Sequence, residues 1–337
     1  MKFVVDAFGA DKGESVVVEG CVRALNSNKD VELILVGDLD VINPMLDGYK
    51  YDKNRLELVD AKDKITNNDV PTLAIKTKKE SSMVKAFDIC KQNEDVSGII
   101  SCGSTGALLT GGVLKIGRIP GVLRPALSPL VPSDNGYFTI CDCGANMDCK
   151  PEYLAQFAVM ASCMMQAVAD VPSPSVGLVS VGDEDKKGND LTHAAFELIK
   201  KLPVNFVGNV ESRDALSGKY NVLVTDGFVG NVMMKAIEGT AMFVVKALKK
   251  EIKSSKSAMF GALFMKKAFG RLKNKMDYNK AGGACFIGVK KLLVKSHGSS
   301  NAEAVASSIN LACKLHEKKV IDNITGIMQT LKSEAAE

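Results

Sequence analysis

Short apolar runs alternate with longer stretches of helical spacing along most of the chain. Residues 2–5 form a predicted strand that ends at Asp6, and residues 16–25 a helix. Residues 31–36 give a second strand ending at Gly37-Asp38, and 55–59 a third with the character of an edge. Residues 71–79 read as a basic helix, and Ser81-Ser82 as the cap of a helix over 83–91. Residues 98–101 are a strand feeding Gly103-Ser104-Thr105-Gly106 and another helix. Residues 119–132 hold four prolines and read as a connection. Residues 139–141 are a buried strand. Pro151 then opens a helix, a position where its missing N–H costs nothing. Strands at 176–181, 205–207 and 222–225 follow, with a helix at 191–200.

This alternation predicts an α/β fold with a parallel sheet and helices on both faces. Asp6, Ser101, Asp142, Gly182, Asn209 and Asp226 all fall at the carboxyl end of a predicted strand. In a parallel sheet those ends share one edge, where open α/β sheets hold ligands. One shared site is therefore expected there. The densest cluster is the stretch 139–157, in which Asp142, Asn146, Asp148 and Lys150 gather between a strand and a helix. Taken alone, such a stretch is also an ordinary capped turn.

The pattern changes after residue 232. Met233, Ile237, Ala241, Val244, Leu248 and Ile252 keep helical spacing, and Ser254, Ser255 and Ser257 break the helix. An apolar cluster follows, Met259, Phe260, Leu263 and Phe264. Next comes a helix with Met265, Phe269, Leu272 and Met276 on one face and Lys266, Lys267, Arg271, Lys273 and Lys275 on the other. Between Lys246 and Lys275 the only acid is Glu251. A basic, apolar-tipped hairpin suits an anionic membrane surface or an acidic protein, or else a subunit interface. The expected organisation is a single catalytic α/β domain over 1–330 that contains this hairpin at 232–278, with a tail at 331–337.

Composition narrows the classes. The 337 residues are 46% hydrophobic and 24% charged, which is globular. A net charge of +4 is too small to suggest a nucleic-acid partner. The nine cysteines form no paired framework and the start shows no signal-peptide pattern, so a cytoplasmic location is expected. Cys141, Cys143 and Cys149 lack a second ligand pair at zinc spacing, so no metal site is expected. No segment reads as a membrane span; the nearest, 153–169, reads as a buried helix.

The remaining motifs point to anions. Gly103-Ser104-Thr105-Gly106 can bring backbone N–H groups and two hydroxyls to an anion, or simply cap a helix. It is neither a Walker A loop nor a dinucleotide fingerprint, so no nucleotide cofactor is expected. Lys186-Lys187-Gly188-Asn189 can serve a phosphate or an oxyanion, or be a solvated loop. Asn231 in Asp226-Gly227-Phe228-Val229-Gly230-Asn231 is a ligand or an N-cap. His297, before Gly298-Ser299-Ser300 at an expected helix start, suits a proton donor or a structural role. His193 and His316 lie on helices and read as structural. Cys149 beside Lys150 is a weak nucleophile candidate.

Several of these segments together resemble the phosphate acyltransferase family of bacterial phospholipid synthesis. The resemblance is carried by Val5-Asp6-Ala7-x-Gly9-x-Asp11, Lys79-Glu80-Ser81-Ser82-Met83 and Gly117-Arg118-Ile119-Pro120-Gly121. It is strongest at Asp142-x-Gly144-Ala145-Asn146-x-Asp148-Cys149-Lys150-Pro151-Glu152. It continues through Lys187-Gly188-Asn189, Gly208-Asn209-Val210-Glu211, Asp226-Gly227-Phe228-x-Gly230-Asn231 and His297-Gly298-Ser299-Ser300. Ser104 stands where the family usually has Asn.

The resemblance implies attack of inorganic phosphate on a fatty acyl thioester of acyl carrier protein, giving acyl phosphate. It implies a three-layer α/β/α sandwich with a mostly parallel, Rossmann-like sheet, similar to isopropylmalate dehydrogenases and phosphotransacetylases, and a homodimer. It also implies attachment to the inner face of the cell membrane, where acyl phosphate would reach a membrane glycerol-3-phosphate acyltransferase. With phosphate as nucleophile, no catalytic Ser or Cys and no cofactor is needed. On this reading Ser104, Thr105, Gly106 and Asn231 hold phosphate, and Lys187 and Asn189 serve phosphate or the oxyanion. Asn146 and Asp142 orient the reacting groups, and His297 protonates the leaving thiolate. An acetyl-CoA phosphotransacetylase, an isopropylmalate-type dehydrogenase and a non-catalytic membrane scaffold are the alternatives.

Overall fold

The most apolar runs of the chain become its buried strands. Phe3, Val4 and Val5 are sealed from solvent, as are Leu33, Leu35, Val222, Leu223 and Val224. The computed structural model describes residues 1–275 and 282–334. Its strands are β1 (Lys2–Asp6), β2 (Glu32–Gly37), β3 (Leu56–Asp60), β4 (Val96–Ser101), β5 (Ala126–Ser133), β6 (Gly136–Cys141), β7 (Ser175–Ser180), β8 (Asn205–Glu211), β9 (Val222–Val224), β10 (Ala284–Ile287) and β11 (Leu292–Lys295). They form an 11-stranded sheet in the order β3-β2-β1-β4-β11-β10-β5-β6-β9-β7-β8. Helices flank it, so the α/β class and the mostly parallel sheet expected from the alternation are present.

The strand directions correct the expectation of one common edge. β3, β2, β1, β4 and β11 are mutually parallel, β10 is antiparallel to both β11 and β5, and β5 is antiparallel to β6. β6, β9, β7 and β8 are parallel to one another. The two groups of parallel strands therefore run in opposite directions, and β5 joins them. Its first half pairs with β10, placing Ala284 beside Pro129, and its second half pairs with β6, placing Thr139 beside Leu130. Lys295 at the end of β11 lies beside Ala284, and Ser101 at the end of β4 lies beside Lys295. The carboxyl ends of both groups thus converge, from opposite sides, on the middle of β5.

β5 is itself a correction, because residues 126–132 fall within the stretch 119–132 expected to be irregular. Pro129 and Pro132 fit since the regular ladder changes flank between Pro129 and Leu130. Each half has one side where a residue without N–H is tolerated. β10 and β11, four residues each, were not expected at all. β8 runs on to Glu211, so Asn209 lies within the strand rather than after it. Ser81 occupies the N-cap position of the helix Ser82–Gln92 without a side-chain cap, and its hydroxyl donates to Lys78 O instead.

The helix Pro151–Ala169 buries most of its circumference, including Leu154, Phe157, Met160 and Met164. It packs against the helices Asp190–Ile199, Ala302–Glu317 and Val320–Glu334. Asp170, in the left-handed conformation just beyond it, holds Lys314 Nζ and Lys318 Nζ at 2.9 Å each. These lysines pull its pKa from 3.8 to about 2. A depressed carboxylate contributes stability above its ordinary pKa and loses it as pH falls through the folded value. Asn also tolerates this backbone. Asp170→Asn should therefore be less stable than the parent near neutrality, and the difference should vanish between about pH 4 and pH 2. Urea unfolding at several pH values checks this; a difference that persists at pH 2 rules it out.

The segment after residue 226 forms three helices, Gly227–Ser254, Lys256–Phe264 and Lys266–Lys275. Ser255 caps the second through Ala258 N–H. Phe260, Leu263 and Phe264 are 65%, 67% and 79% exposed, and Met259, Lys266, Lys267 and Arg271 are exposed with them. Met276 lies outside the described residues. Among the described residues, the helix long and apolar enough to cross a membrane is Gly227–Ser254, which is largely exposed; residues 153–169 are buried.

Candidate active site

A cleft of about 550 Å³ lies where the two groups of strands meet on β5. One wall is β5 from Leu127 to Ser133. The other is the face of the helix Gly227–Ser254 that carries Asn231, Met234, Lys235, Ile237, Glu238 and Ala241. Thr105, Cys143, Gly144, Lys295 and His297 close its inner end.

Three loops build that end, and each is held by a buried group. Asp6 is 2% exposed, and its carboxylate accepts from Ser82 Oγ at 2.6 Å, Ser101 Oγ at 2.8 Å and Phe8 N–H at 3.2 Å. Ser101 Oγ accepts in turn from Gly103 N–H at 2.9 Å. The glycine-rich loop is thereby tied to the end of β1. Burial pushes the Asp6 pKa above its ordinary value, and these bonds oppose the shift. Ser104 caps the helix Thr105–Gly111, with its hydroxyl facing Ala107 N–H. A Cβ at Gly106 would sit 2.8 Å from Pro71 Cγ, so Gly106 serves helix packing. Of the expected phosphate ligands on this loop, Thr105 lines the cleft; Ser104 and Gly106 stand behind it.

Asp142 holds the second loop. It is fully buried and accepts from the N–H groups of Leu127 (2.8 Å), Cys143 (2.7 Å), Ala145 (3.2 Å) and Asn146 (2.6 Å), and from Asn146 Nδ2 (2.9 Å). Asn146 Nδ2 also donates to Pro125 O. Burial raises the Asp142 pKa against the effect of these donors. Asp142 and Asn146 thus spend their polar atoms on the turn that presents Cys143 and Gly144. Cys149 Sγ faces Asn146 O at 3.5 Å, and burial with nearby Asp142 pushes its thiol up to about 12, which disfavours the thiolate a nucleophile needs.

The helix Gly227–Ser254 presses against this turn. A Cβ on Gly230 would lie 2.0 Å from Asp142 O, and one on Gly227 would lie 2.5 Å from Asn146 O, so only glycine permits the approach. Asp226 is the N-cap, accepting from Val229 N–H at 2.8 Å. Asn231 is consequently not a cap and stands beside Gly144 in the cleft.

The third loop follows β11. Lys295 Nζ donates to Cys102 O at 3.1 Å and to Ser296 O, and Asp11 N–H donates to Gly298 O at 2.7 Å. Burial pulls the Lys295 pKa below its ordinary value, while Asp11 and Asp6 favour its charged form. His297 Nδ1 accepts from Ser299 N–H at 3.2 Å and lies 2.7 Å from Ser299 Oγ, which fixes the ring. The helix begins later than expected, at Ala302, with Asn301 as its cap. Sequence reading singled out His297 and passed over Lys295.

Lys187 and Asn189 do not line the cleft. Lys187 Nζ is 3.8 Å from Glu184 Oε1 on an exposed loop after β7. Asn189 caps the helix Asp190–Ile199 in a reciprocal box with Thr192. His193 Nε2 contacts Lys186 O, and His316 packs edge-on against Phe3. Among the described residues no group of three or more His, Cys, Asp and Glu side chains could hold a metal ion.

The inner end therefore offers a cation, the Thr105 hydroxyl and the Asn231 amide, with an imidazole alongside. Among the described residues neither that hydroxyl nor that amide has a protein partner. Fixed donors in a recess of this kind suit a phosphate and a developing oxyanion.

The architecture is that of phosphotransacylases. It aligns with a phosphotransacetylase from Streptococcus pyogenes at a TM-score of 0.59 and 16% identity, covering 94% of each chain. It aligns with a branched-chain phosphotransacylase from Enterococcus faecalis V583 at 0.58 and 13%, covering 93% of this chain and 98% of the other. At such identities the likeness concerns the fold. The family model described as "Fatty acid synthesis protein" matches residues 1–323, and the chain belongs to that family of phosphate acyltransferases. It is 48% identical over 326 residues to the phosphate acyltransferase of Clostridium perfringens (strain SM101 / Type A), covering 96% of each. It is 45% identical over 331 residues to that of Clostridium acetobutylicum, covering 98% of this chain and 100% of the relative. The enzyme class is acyltransferase, and the reaction is acyl transfer to phosphate.

Proposed function

We propose that the acyl donor is a fatty acyl thioester of acyl carrier protein, and that the products are acyl phosphate and free carrier protein for phospholipid synthesis. The observation that carries this reading is the two-ended cleft. Its inner end holds Lys295, Thr105 and Asn231, and its walls beyond are Leu130, Val131, Met234, Ile237 and Ala241. A short acyl group has no use for that apolar length.

In the proposed step a phosphate oxygen attacks the carbonyl carbon and forms a C–O bond. The resulting tetrahedral oxyanion collapses, the C–S bond breaks, and the thiolate takes a proton. Lys295 and Thr105 hold phosphate, Asn231 donates to the oxyanion, and His297 supplies the proton. Asp142, Asn146 and Ser104 position these groups through the backbone. Lys187, on the exposed loop after β7, lies outside the cleft and takes no part in this step; Asn189 holds that loop to its helix. Residues 1–330 act as one catalytic unit, as a homodimer in the cytoplasm.

The exposed tip at Met259, Phe260, Leu263 and Phe264, flanked by Lys266, Lys267 and Arg271, meets an anionic lipid surface. There acyl phosphate would pass to a membrane acyltransferase that loads glycerol 3-phosphate. Burying two aromatic side chains supplies apolar area, and the cations add attraction to acidic lipid. Phe260→Asp with Phe264→Asp is expected to abolish flotation with phosphatidylglycerol vesicles. A raised KM for carrier protein without lipid would assign the tip to carrier docking instead.

The donor is tested by comparing kcat/KM for palmitoyl carrier protein and palmitoyl-CoA at one phosphate concentration. The carrier-protein reading expects the former to be larger by tenfold or more, about 1.4 kcal/mol in transition-state binding. Preference for the CoA thioester would replace it with a CoA-dependent transferase.

A further inference from the structure

We infer that the apolar limb of the cleft is the acyl-chain site and that Ala241 is the gap through which a long chain passes out of it. This inference rests on the acyl-transfer reading above and adds to it where the chain lies and what sets its length.

Two elements run side by side to make the limb. Along the helix, Asn231 and Ala241 are ten residues apart, about 15 Å at the usual rise. Between them Met234 and Ile237 face the cleft. Along β5, the lining runs from Leu127 through Leu130 and Val131 to Ser133 and Asp134, about 23 Å of extended strand. Cys143 Sγ touches Met234 Sδ at 3.4 Å, which sets the helix against the turn at the inner end.

Polar groups orient the occupant. Lys295, Thr105 and Asn231 stand at the inner end, and the helix adds Lys235 and Glu238, both near enough to act on the Cys143 thiol with opposite effects. A phosphate or thioester head is drawn to Lys295, Thr105 and Asn231, so the hydrocarbon tail points along the apolar side chains beyond them.

The outer end has no bulky stop on the helix side. Ala241 is the smallest of the apolar side chains that the helix gives to the cleft, and it is the last one. One and two turns further on, Val245 and Leu248 continue the same face, 37% and 39% exposed. Leu272, from the helix Lys266–Lys275, also lines the cleft, so the limb opens beneath the segment that carries the exposed tip. A tail longer than the limb can therefore run past Ala241 onto the exposed stripe. A bulky side chain at position 241 would convert the gap into a wall.

The test uses the full-length protein and two graded variants, Ala241→Val and Ala241→Phe, each checked for its unfolding midpoint. Two readouts are taken: binding of the fluorescent long-chain fatty acid cis-parinaric acid, and the ratio of kcat/KM for palmitoyl to hexanoyl carrier protein. One misfit in an apolar pocket is worth tenfold or more, so Phe should weaken parinarate binding and lower the palmitoyl-to-hexanoyl ratio by about tenfold, with Val between. Parinarate binding unaffected by Phe, or both chain lengths falling in proportion, overturns the inference; should Phe fail to fold, Val decides. If parinarate binding depends on position 241 but wild type forms no acyl phosphate, the transfer reading fails and the chain site stands.

Discussion

Lys295→Met is expected to lower kcat/KM for phosphate by about two orders of magnitude or more, the usual cost of deleting one preorganised donor at a developing charge. The ammonium is a cation of the inner end, and it is held in place by Cys102 O and Ser296 O. It is partly withdrawn from water, where an ionic contact is worth more than at the surface. Methionine keeps much of the buried stem while deleting the charge, so the fold should survive. Two carbonyls lose a donor, at about 1 kcal/mol each. The distinguishing readout is the split between substrates: KM for phosphate should rise far more than KM for the acyl donor. Lys295→Arg should not restore activity, because a planar fork cannot replace a compact ammonium in a fitted recess. A phosphate KM within about twofold of wild type would remove Lys295 from the anion site, since twofold is well below the value of one charge-assisted bond.

Asp142 should matter for a different reason. All of its partners are donors, so Asp142→Ala strands Leu127, Cys143, Ala145 and Asn146 N–H groups in a buried turn. Each unsatisfied buried donor costs about 1–3 kcal/mol, so a loss of about 4 kcal/mol or more is expected. Asp142→Asn keeps the shape but points an amide NH₂ at groups that are themselves donors, and about 2 kcal/mol or more should still be lost. Urea unfolding measures both. If Asp142→Asn stayed within about 0.5 kcal/mol of wild type, as a neutral surface change would, the carboxylate would not be the turn's organiser.

These two residues show what the amino-acid order could and could not reveal. Asp142 announced itself, because it sits among Asn, Asp and Lys between a strand and a proline-opened helix. Its task was less visible: a carboxylate that binds a ligand and one that binds five local donors look alike in sequence. Asn189 is similar, since Gly-Asn before a helix reads equally as anion ligand or N-cap, and the box closes through Thr192 rather than the usual Glu or Gln. Lys295 was hidden because a lysine after an apolar run reads as the wet end of a strand. Its setting depends on β11 pairing with β4, a contact between residues almost 200 positions apart.

The alternation of strands and helices was legible because it is a local, periodic signal. The reversal of direction at β5 was not, because direction depends on which strands become neighbours. β10 and β11 are too short to show a period, and the two prolines made β5 look irregular. Thr105, Asn231 and His297, which line the cleft, could be picked out because each lies in a polar cluster where an apolar run stops. These three stay next to the cleft even though the strands that lead to them run in opposite directions, whereas the cluster after β7 does not line it.

The central claim is that phosphate itself attacks a fatty acyl thioester in this cleft. The most direct measurement is incubation of the purified protein with palmitoyl carrier protein and phosphate labelled at every oxygen, followed by mass spectrometry of the product. The account predicts palmitoyl phosphate that keeps all of the label, bridging oxygen included, formed in proportion to free carrier protein. Free palmitate without acyl phosphate, or acyl phosphate whose bridging oxygen is unlabelled, would contradict it.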